Sequence, residues 1–211
     1  MDSIDNQQST PRNRDLRFAP SINNRIVYPV ILAVPAKDRQ LTGREKVAGL
    51  SRHARRALEI SAQKSGIALI DLQKDEKGAP LPFNGHYWSV THKPQYVGGV
   101  VAAARIGIDI EKIRPCSEAL LKKIVDDSEW GLADADRFTL FFRYWTSKEC
   151  VLKAVGIGIR DLSKCRIVQI VDEDNLVVNY DGKLWHVEHT FFNGHIASII
   201  KNGCDIRWTF G

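Results

Sequence analysis

The sequence predicts an α+β fold made of two halves, each with a helix and a small, mostly antiparallel sheet. Three observations carry that reading. The elements run strand, helix, strands, then helices, strands, without the strand–helix alternation of a doubly wound sheet. Asp181-Gly182 and Asn193-Gly194 are strong two-residue hairpin turns, which join antiparallel neighbours. And 211 residues with 44% hydrophobic and 26% charged side chains are enough to build a core without a metal or disulfide staple.

The elements follow in order. Residues 1–24 are polar, interrupted by Pro11 and Pro20, and read as a mobile tail. Residues 25–105 form the first half and 106–211 the second. Arg25–Val34 (RIVYPVILAV) reads as a strand in which Pro29 implies an edge or a bulge. Thr42 with Glu45 three residues on reads as a capping box opening a helix to about Lys64. Val47, Leu50, Ala54, Ala57, Leu58 and Ser61 are its buried stripe at helical spacing. Lys74 to Pro80 is a turn, and His86–His92 and Val97–Ala104 are paired strands. In Arg105–Glu111 the apolar Ile106, Ile108 and Ile110 share one face, and Gly107, Asp109 and Glu111 the other. Ser117 caps a short helix and Ser128 another. A long helix over Asp136–Val155 is stopped by Gly156 and Gly158. Strands at 165–171, 176–180, 184–191 and 195–200 complete the chain.

The net charge is +5, and it is concentrated. Residues 37–64 hold eight Lys and Arg against three Asp and Glu, which points to an anionic partner. That basic segment contains no Phe, Trp or Tyr for base stacking, which argues against a nucleic-acid binder. The four cysteines, Cys116, Cys150, Cys165 and Cys204, lack zinc-ligand spacing and fit a reducing compartment. The first 25 residues have no apolar core, and Pro94–Ala104 is too short to span a bilayer. A soluble, cytoplasmic protein with no membrane segment is therefore expected. P-loop, dinucleotide-binding, GxSxG and HExxH motifs are absent.

Two groups of residues carry chemistry. Asp109 and Glu111, at i and i+2 on a strand, point the same way about 7 Å apart, within reach of one hard cation such as Mg²⁺. Taken alone they also fit a solvated strand face. Glu149 and Lys153, at i and i+4 on the long helix, fit an ordinary surface ion pair, or else a third carboxylate and a phosphate-binding ammonium. His92 ends a strand, and Arg52, Arg55 and Arg56 lie on the basic helix.

In combination and order these residues resemble the 4′-phosphopantetheinyl transferases of the surfactin-synthetase-activating (Sfp) type. The resemblance lies in Gly107-Ile108-Asp109-Ile110-Glu111 and in Trp145-x-x-Lys148-Glu149-x-x-x-Lys153 with Gly156 and Gly158. Lys77-Gly78-Ala79-Pro80, Ser89-Val90-Thr91-His92 and Asp126 to Trp130 are lesser similarities, so that it spans about residues 40–160. It implies a pseudo-dimer with the active site in the cleft between the halves. The implied reaction moves 4′-phosphopantetheine from coenzyme A to a serine of an apo carrier protein and releases 3′,5′-adenosine bisphosphate. It further implies Asp109, Glu111 and Glu149 as Mg²⁺ ligands, Glu149 as general base, and Lys153 on the pyrophosphate. Arg56, Lys77, Thr91 and His92 would bind coenzyme A, with His92 and Arg56 on its 3′-phosphate. Thr91-His92-Lys93 stands where the family has Ser-His-Ser, so Lys93 is expected to alter how that phosphate is held. The carrier, acidic around its serine, complements the basic segment. A monomer is expected. The alternative is a non-catalytic coenzyme A or carrier-protein binding module of the same fold.

Overall fold

The computed structural model describes residues 26–211, so the mobile-tail reading of residues 1–24 lies outside the described residues. In chain order the first part supplies β1 (Ile26–Val27), β2 (Val30–Ala33), the single turn α1 (Ala36–Arg39), the long α2 (Gly43–Lys64), β3 (Tyr87–His92) and β4 (Tyr96–Ala102). The second supplies β5 (Ile108–Lys112), α3 (Glu118–Ile124), α4 (Asp127–Trp130), α5 (Arg137–Val155) and a 3₁₀ segment (Ile159–Lys164). It continues with β6 (Arg166–Ile170), β7 (Asn175–Tyr180), β8 (Lys183–Phe192), β9 (His195–Ile200), β10 (Asp205–Ile206) and β11 (Thr209–Phe210).

These strands form a four-stranded sheet in the order β11-β2-β4-β3, a five-stranded sheet in the order β5-β9-β8-β7-β6, and the small pair β1-β10. Among the described residues all pairings are antiparallel except β1 with β10 and β11 with β2. The α+β class is borne out. The β7–β8 and β8–β9 turns carry positive φ at Asp181, Gly182, Asn193 and Gly194, as two-residue hairpins with the native strand twist require.

Each sheet carries one long helix. α2 lies on β4, flanked by β2 and β3, and α5 lies on β5 and β9. Both helices sit so close that the strand beneath has no room for a side chain. A Cβ on Gly99 would stand 2.5 Å from the Leu58 backbone nitrogen, and one on Gly107 would stand 1.9 Å from the Cys150 carbonyl oxygen. The glycine of the Gly107–Glu111 motif thus sets the distance between β5 and α5. Between these layers lies the main core, which includes Ile108, Phe141, Tyr144, Val151, Leu152, Ile196 and Ile199. Each such side chain contributes about 1.5–3 kcal/mol through burial. A smaller cluster of Leu58, Ala62, Phe83, Trp88 and Val101 holds α2 to its sheet.

Several local expectations are corrected. Pro29 neither bulges nor marks an edge. It divides the first strand into β1 and β2, and its carbonyl accepts from Thr209 N (2.9 Å), so the break falls where no N–H exists to continue a ladder. Thr42 precedes α2 but its hydroxyl makes no capping bond. The capping box forms instead at Asp126 and Glu129, so Asp126, not Ser128, caps α4. Val47, placed in the buried stripe, is exposed. The C-terminal residues return to the first half, where β11 extends the sheet beside β2.

Candidate active site

The site forms where β3, β5 and α5 meet. Successive side chains of a strand alternate between faces, so Asp109 and Glu111 of β5 share one side, as do Thr91 of β3 and Lys93 just beyond its end. The two rows face each other with matching spacing. Thr91 Oγ1 donates to Asp109 Oδ1 (3.0 Å) and Lys93 Nζ donates to Glu111 Oε1 (2.6 Å). From α5, Lys153 Nζ donates to Asp109 Oδ1 (2.7 Å) and to the Ile108 carbonyl (2.9 Å). Glu149 lies one helical turn before Lys153 and lines the same cavity of about 300 Å³, together with His92, Trp145 and Ile159.

This arrangement overturns two plain readings. Asp109 is not on a solvated face: it is 4% exposed. Lys153 does not pair with Glu149 along the helix; it reaches across to Asp109. Lys93, expected near a phosphate, holds Glu111.

A second cavity, of about 250 Å³, adjoins the first through Val90, His92 and Lys153. Its far wall is the turn bearing Lys74, Lys77, Gly78, Ala79 and Pro80, opposite Gly156 and Gly158. The turn is held by Asp75, whose Oδ1 accepts from Lys77 N (2.9 Å) and Ala79 N (2.8 Å), and Gly78 takes the positive φ that closes it. Lys77, His92 and Lys153 therefore line one continuous cleft. Thr91 borders it with its hydroxyl turned to Asp109. Arg56 is not brought there: it is exposed on α2 and paired with Glu59 (3.2 Å).

The cleft's electrostatics follow from burial beside mixed charges. Burial pushes the Glu149 carboxyl above its ordinary value, and the nearby Asp109 adds to the effect. Burial also raises Glu111, against the opposing pull of Lys93. Burial works against the charge on Lys153, but Asp109 outweighs it and holds the ammonium above its usual range. His92 is held below its usual value by burial and then by Lys153, Lys74 and Lys93.

The oxygen donors suit a hard divalent cation. One buried oxygen, Asp109 Oδ2, has no hydrogen-bond partner among the described residues, as a ligand atom awaiting a cation would. As they stand, however, no three Asp, Glu, His or Cys groups among the described residues are close enough together to hold a metal ion. Lys93 and Lys153 contact two of the three carboxylates directly. The residues fit the ion in kind, once an ammonium yields its place.

Sequence reasoning missed Lys93 as the partner of Glu111. The signal was present: Thr91 and Lys93 repeat the i, i+2 spacing of Asp109 and Glu111. It also missed Ile159, which reaches the cavity from the 3₁₀ segment.

Fold and site define an α+β protein with a cleft, built between two helix-backed sheets, that sets carboxylates beside ammonium groups. Residues 105–200 match the model of the 4′-phosphopantetheinyl transferase superfamily. The chain is 33% identical to the 4′-phosphopantetheinyl transferase HetI of Nostoc sp., over 39% of this chain and 48% of that protein. It is 28% identical to a putative 4′-phosphopantetheinyl transferase of Haemophilus influenzae, over 60% of this chain and 58% of the relative. It is 26% identical to the 4′-phosphopantetheinyl transferase gsp of Aneurinibacillus migulanus, over 41% and 38%. The chain thus spans about half the length of the first curated relatives it matches.

Proposed function

We propose that the protein transfers 4′-phosphopantetheine from coenzyme A to a serine hydroxyl of an apo carrier protein. The observation that supports this most is the convergence of Asp109, Glu111, Glu149, Lys153, His92 and Lys77 on one continuous cleft. The similarity to named transferases stands beside it. In this reading Lys77 and Lys153 neutralise the pyrophosphate and His92, as it protonates, takes the 3′-phosphate, with Thr91 at the border of that site. Arg56 serves the same phosphate only if its side chain leaves Glu59. Asp109, Glu111 and Glu149 would hold Mg²⁺, which when bound supplies positive charge to the phosphate oxygens.

Glu149 is the general base. A carboxyl raised by burial is better matched to a proton acceptor near neutrality than an exposed one. The serine oxygen attacks the β-phosphorus, its proton passes to Glu149 directly or through a water, and the bond to the bridging pyrophosphate oxygen breaks. The leaving group is 3′,5′-adenosine bisphosphate. Such transfer is mainly positioning and electrostatics, which is what a cleft lined by fixed ammonium groups provides.

The carrier is expected to be acidic and to meet the basic α2 face. The protein would act in the cytoplasm as a monomer, with residues 25–105 and 106–211 as its two units and the coenzyme between them. Among the described residues no helix is long and apolar enough to cross a membrane. The test is incubation with coenzyme A, Mg²⁺ and a panel of apo carrier proteins, followed by intact-protein mass spectrometry. A carrier heavier by one phosphopantetheine group is expected. Coenzyme A bound without any modified carrier would indicate a binding module instead.

A further inference from the structure

Lys93 has no part in the chemistry above, yet it has a defined place. It follows β3, its backbone N–H donates to the Tyr96 carbonyl (2.8 Å), and Pro94 after it stiffens the hairpin tip. Its stem therefore starts from a fixed point, two residues past Thr91 on the same face. The ammonium lies 2.6 Å from Glu111 Oε1, with the side chains 31% and 14% exposed. On the neighbouring carboxylate, Lys153 occupies Asp109 Oδ1 while Oδ2 has no partner among the described residues.

The two β5 carboxylates thus each carry an ammonium in direct contact, and among the described residues no three acidic groups stand together as a ready metal cage. Lys153 also has a backbone anchor at the Ile108 carbonyl, so it is fixed to the site. Among the described residues Lys93 has no such second anchor for its ammonium, and its side chain is the more exposed of the two. Like charges at contact distance repel, so a divalent ion on Glu111 and the Lys93 ammonium on the same carboxylate oppose each other.

We propose that Lys93 is an intramolecular competitor for divalent metal at Glu111. Metal binding displaces its ammonium into the cleft, and without metal it keeps the buried carboxylate paired. Lys93 is then a positioning residue that sets the metal concentration the site requires. The inference rests on reading Asp109, Glu111 and Glu149 as the metal ligands.

The test is Mn²⁺ binding to the protein alone, with neither coenzyme A nor carrier. Free Mn²⁺ is followed by electron paramagnetic resonance at fixed pH and ionic strength. Lys93→Gln should bind Mn²⁺ about three- to tenfold more tightly than the wild type, and Lys93→Arg should not gain affinity. Asp109→Asn should lose binding. A thermal scan gives a second readout: without metal Lys93→Gln should melt below the wild type, and Mn²⁺ should raise its melting point by more. Lys93→Met, of similar length, replaces Lys93→Gln should the latter fail to fold by circular dichroism. Equal or weaker Mn²⁺ binding by the neutral variants overturns the competition while leaving the metal ligands standing, provided Asp109→Asn still loses binding. Absence of Mn²⁺ binding in both wild type and Lys93→Gln overturns the metal ligands, and the proposal with them.

Discussion

Replacing Gly107 by alanine should separate the two elements that hold the site. The new Cβ would meet the Cys150 carbonyl oxygen at 1.9 Å, and real Cβ contacts are essentially never under 3.0 Å, so α5 must retreat from β5 by about 1.1 Å. The obstacle is helix backbone and cannot swing aside as a flexible side chain can. Overpacking of this kind costs about 1–3 kcal/mol, and backbone contact favours the upper end. For a domain of this size, about 3 kcal/mol lowers the melting temperature by roughly 6–12 °C. The same retreat stretches the Lys153–Asp109 contact from 2.7 Å beyond hydrogen-bonding reach and moves Glu149 with it. A misplacement of about 1 Å can cost about 100-fold in rate. Thermal unfolding and the initial rate of carrier modification measure the two effects. Gly131→Ala is the control, because a Cβ there meets nothing nearer than 3.6 Å and should be close to neutral. A Gly107→Ala protein that melts within 1 °C or so of the wild type and modifies carrier at the same rate would refute the idea that this contact sets the site.

Three further outcomes follow from the same geometry. Lys148 and Glu129 are a fully buried pair at 2.7 Å, and Glu129 also accepts from the Asp126 and Ile167 backbone N–H groups. Lys148→Met should therefore cost about 3–5 kcal/mol in urea unfolding, and a loss below about 1 kcal/mol would show the pair to be dispensable. His189 is fully buried against Ser198, and burial, then Arg143, holds it well below its usual value. The unfolded chain then takes up a proton that the native state refuses, so stability is complete above about pH 6.5 and falls below it by up to about 1.4 kcal/mol per pH unit. Urea midpoints across pH 7 to 5 check this, and His189→Gln should flatten the slope. On the exposed face of α2, Arg55→Glu should raise the KM for an acidic carrier more than that for coenzyme A, whereas equal effects would remove α2 from carrier docking.

Where periodicity is strong the fold was legible in the residues. α2 and α5 end within a residue or two of their expected bounds, because an apolar stripe and a stop such as Gly156 are local signals. β10 and β11 were not legible: two residues show no alternation, and their pairing with β1 and β2 depends on where the rest of the chain has gone. The capping box was sought at Thr42, which has the right spacing, and formed at Asp126, where a buried Glu129 also serves Lys148. Spacing proposes a cap, and tertiary packing selects it.

The site divides similarly. Asp109, Glu111, Glu149 and Lys153 could be grouped from motif order, but not the choice Lys153 makes between Glu149 and Asp109. That choice depends on the helix-to-strand distance set at Gly107. The role of Lys93 needed the facing register of β3 and β5, which belong to different sheets and share no local pattern. Arg56 was placed by the family resemblance of its helix segment, and its pairing with Glu59 on the exposed face is what an i, i+3 neighbour offers.

The most direct test of the account compares wild type and Glu149→Gln side by side, with coenzyme A, Mg²⁺ and one apo carrier that the wild type accepts. Circular dichroism serves as the check on folding. Intact-mass spectra should show the phosphopantetheine addition with the wild type and almost none with the variant. Addition at the same rate by both proteins would contradict the assignment of this cleft as the place where the transfer occurs.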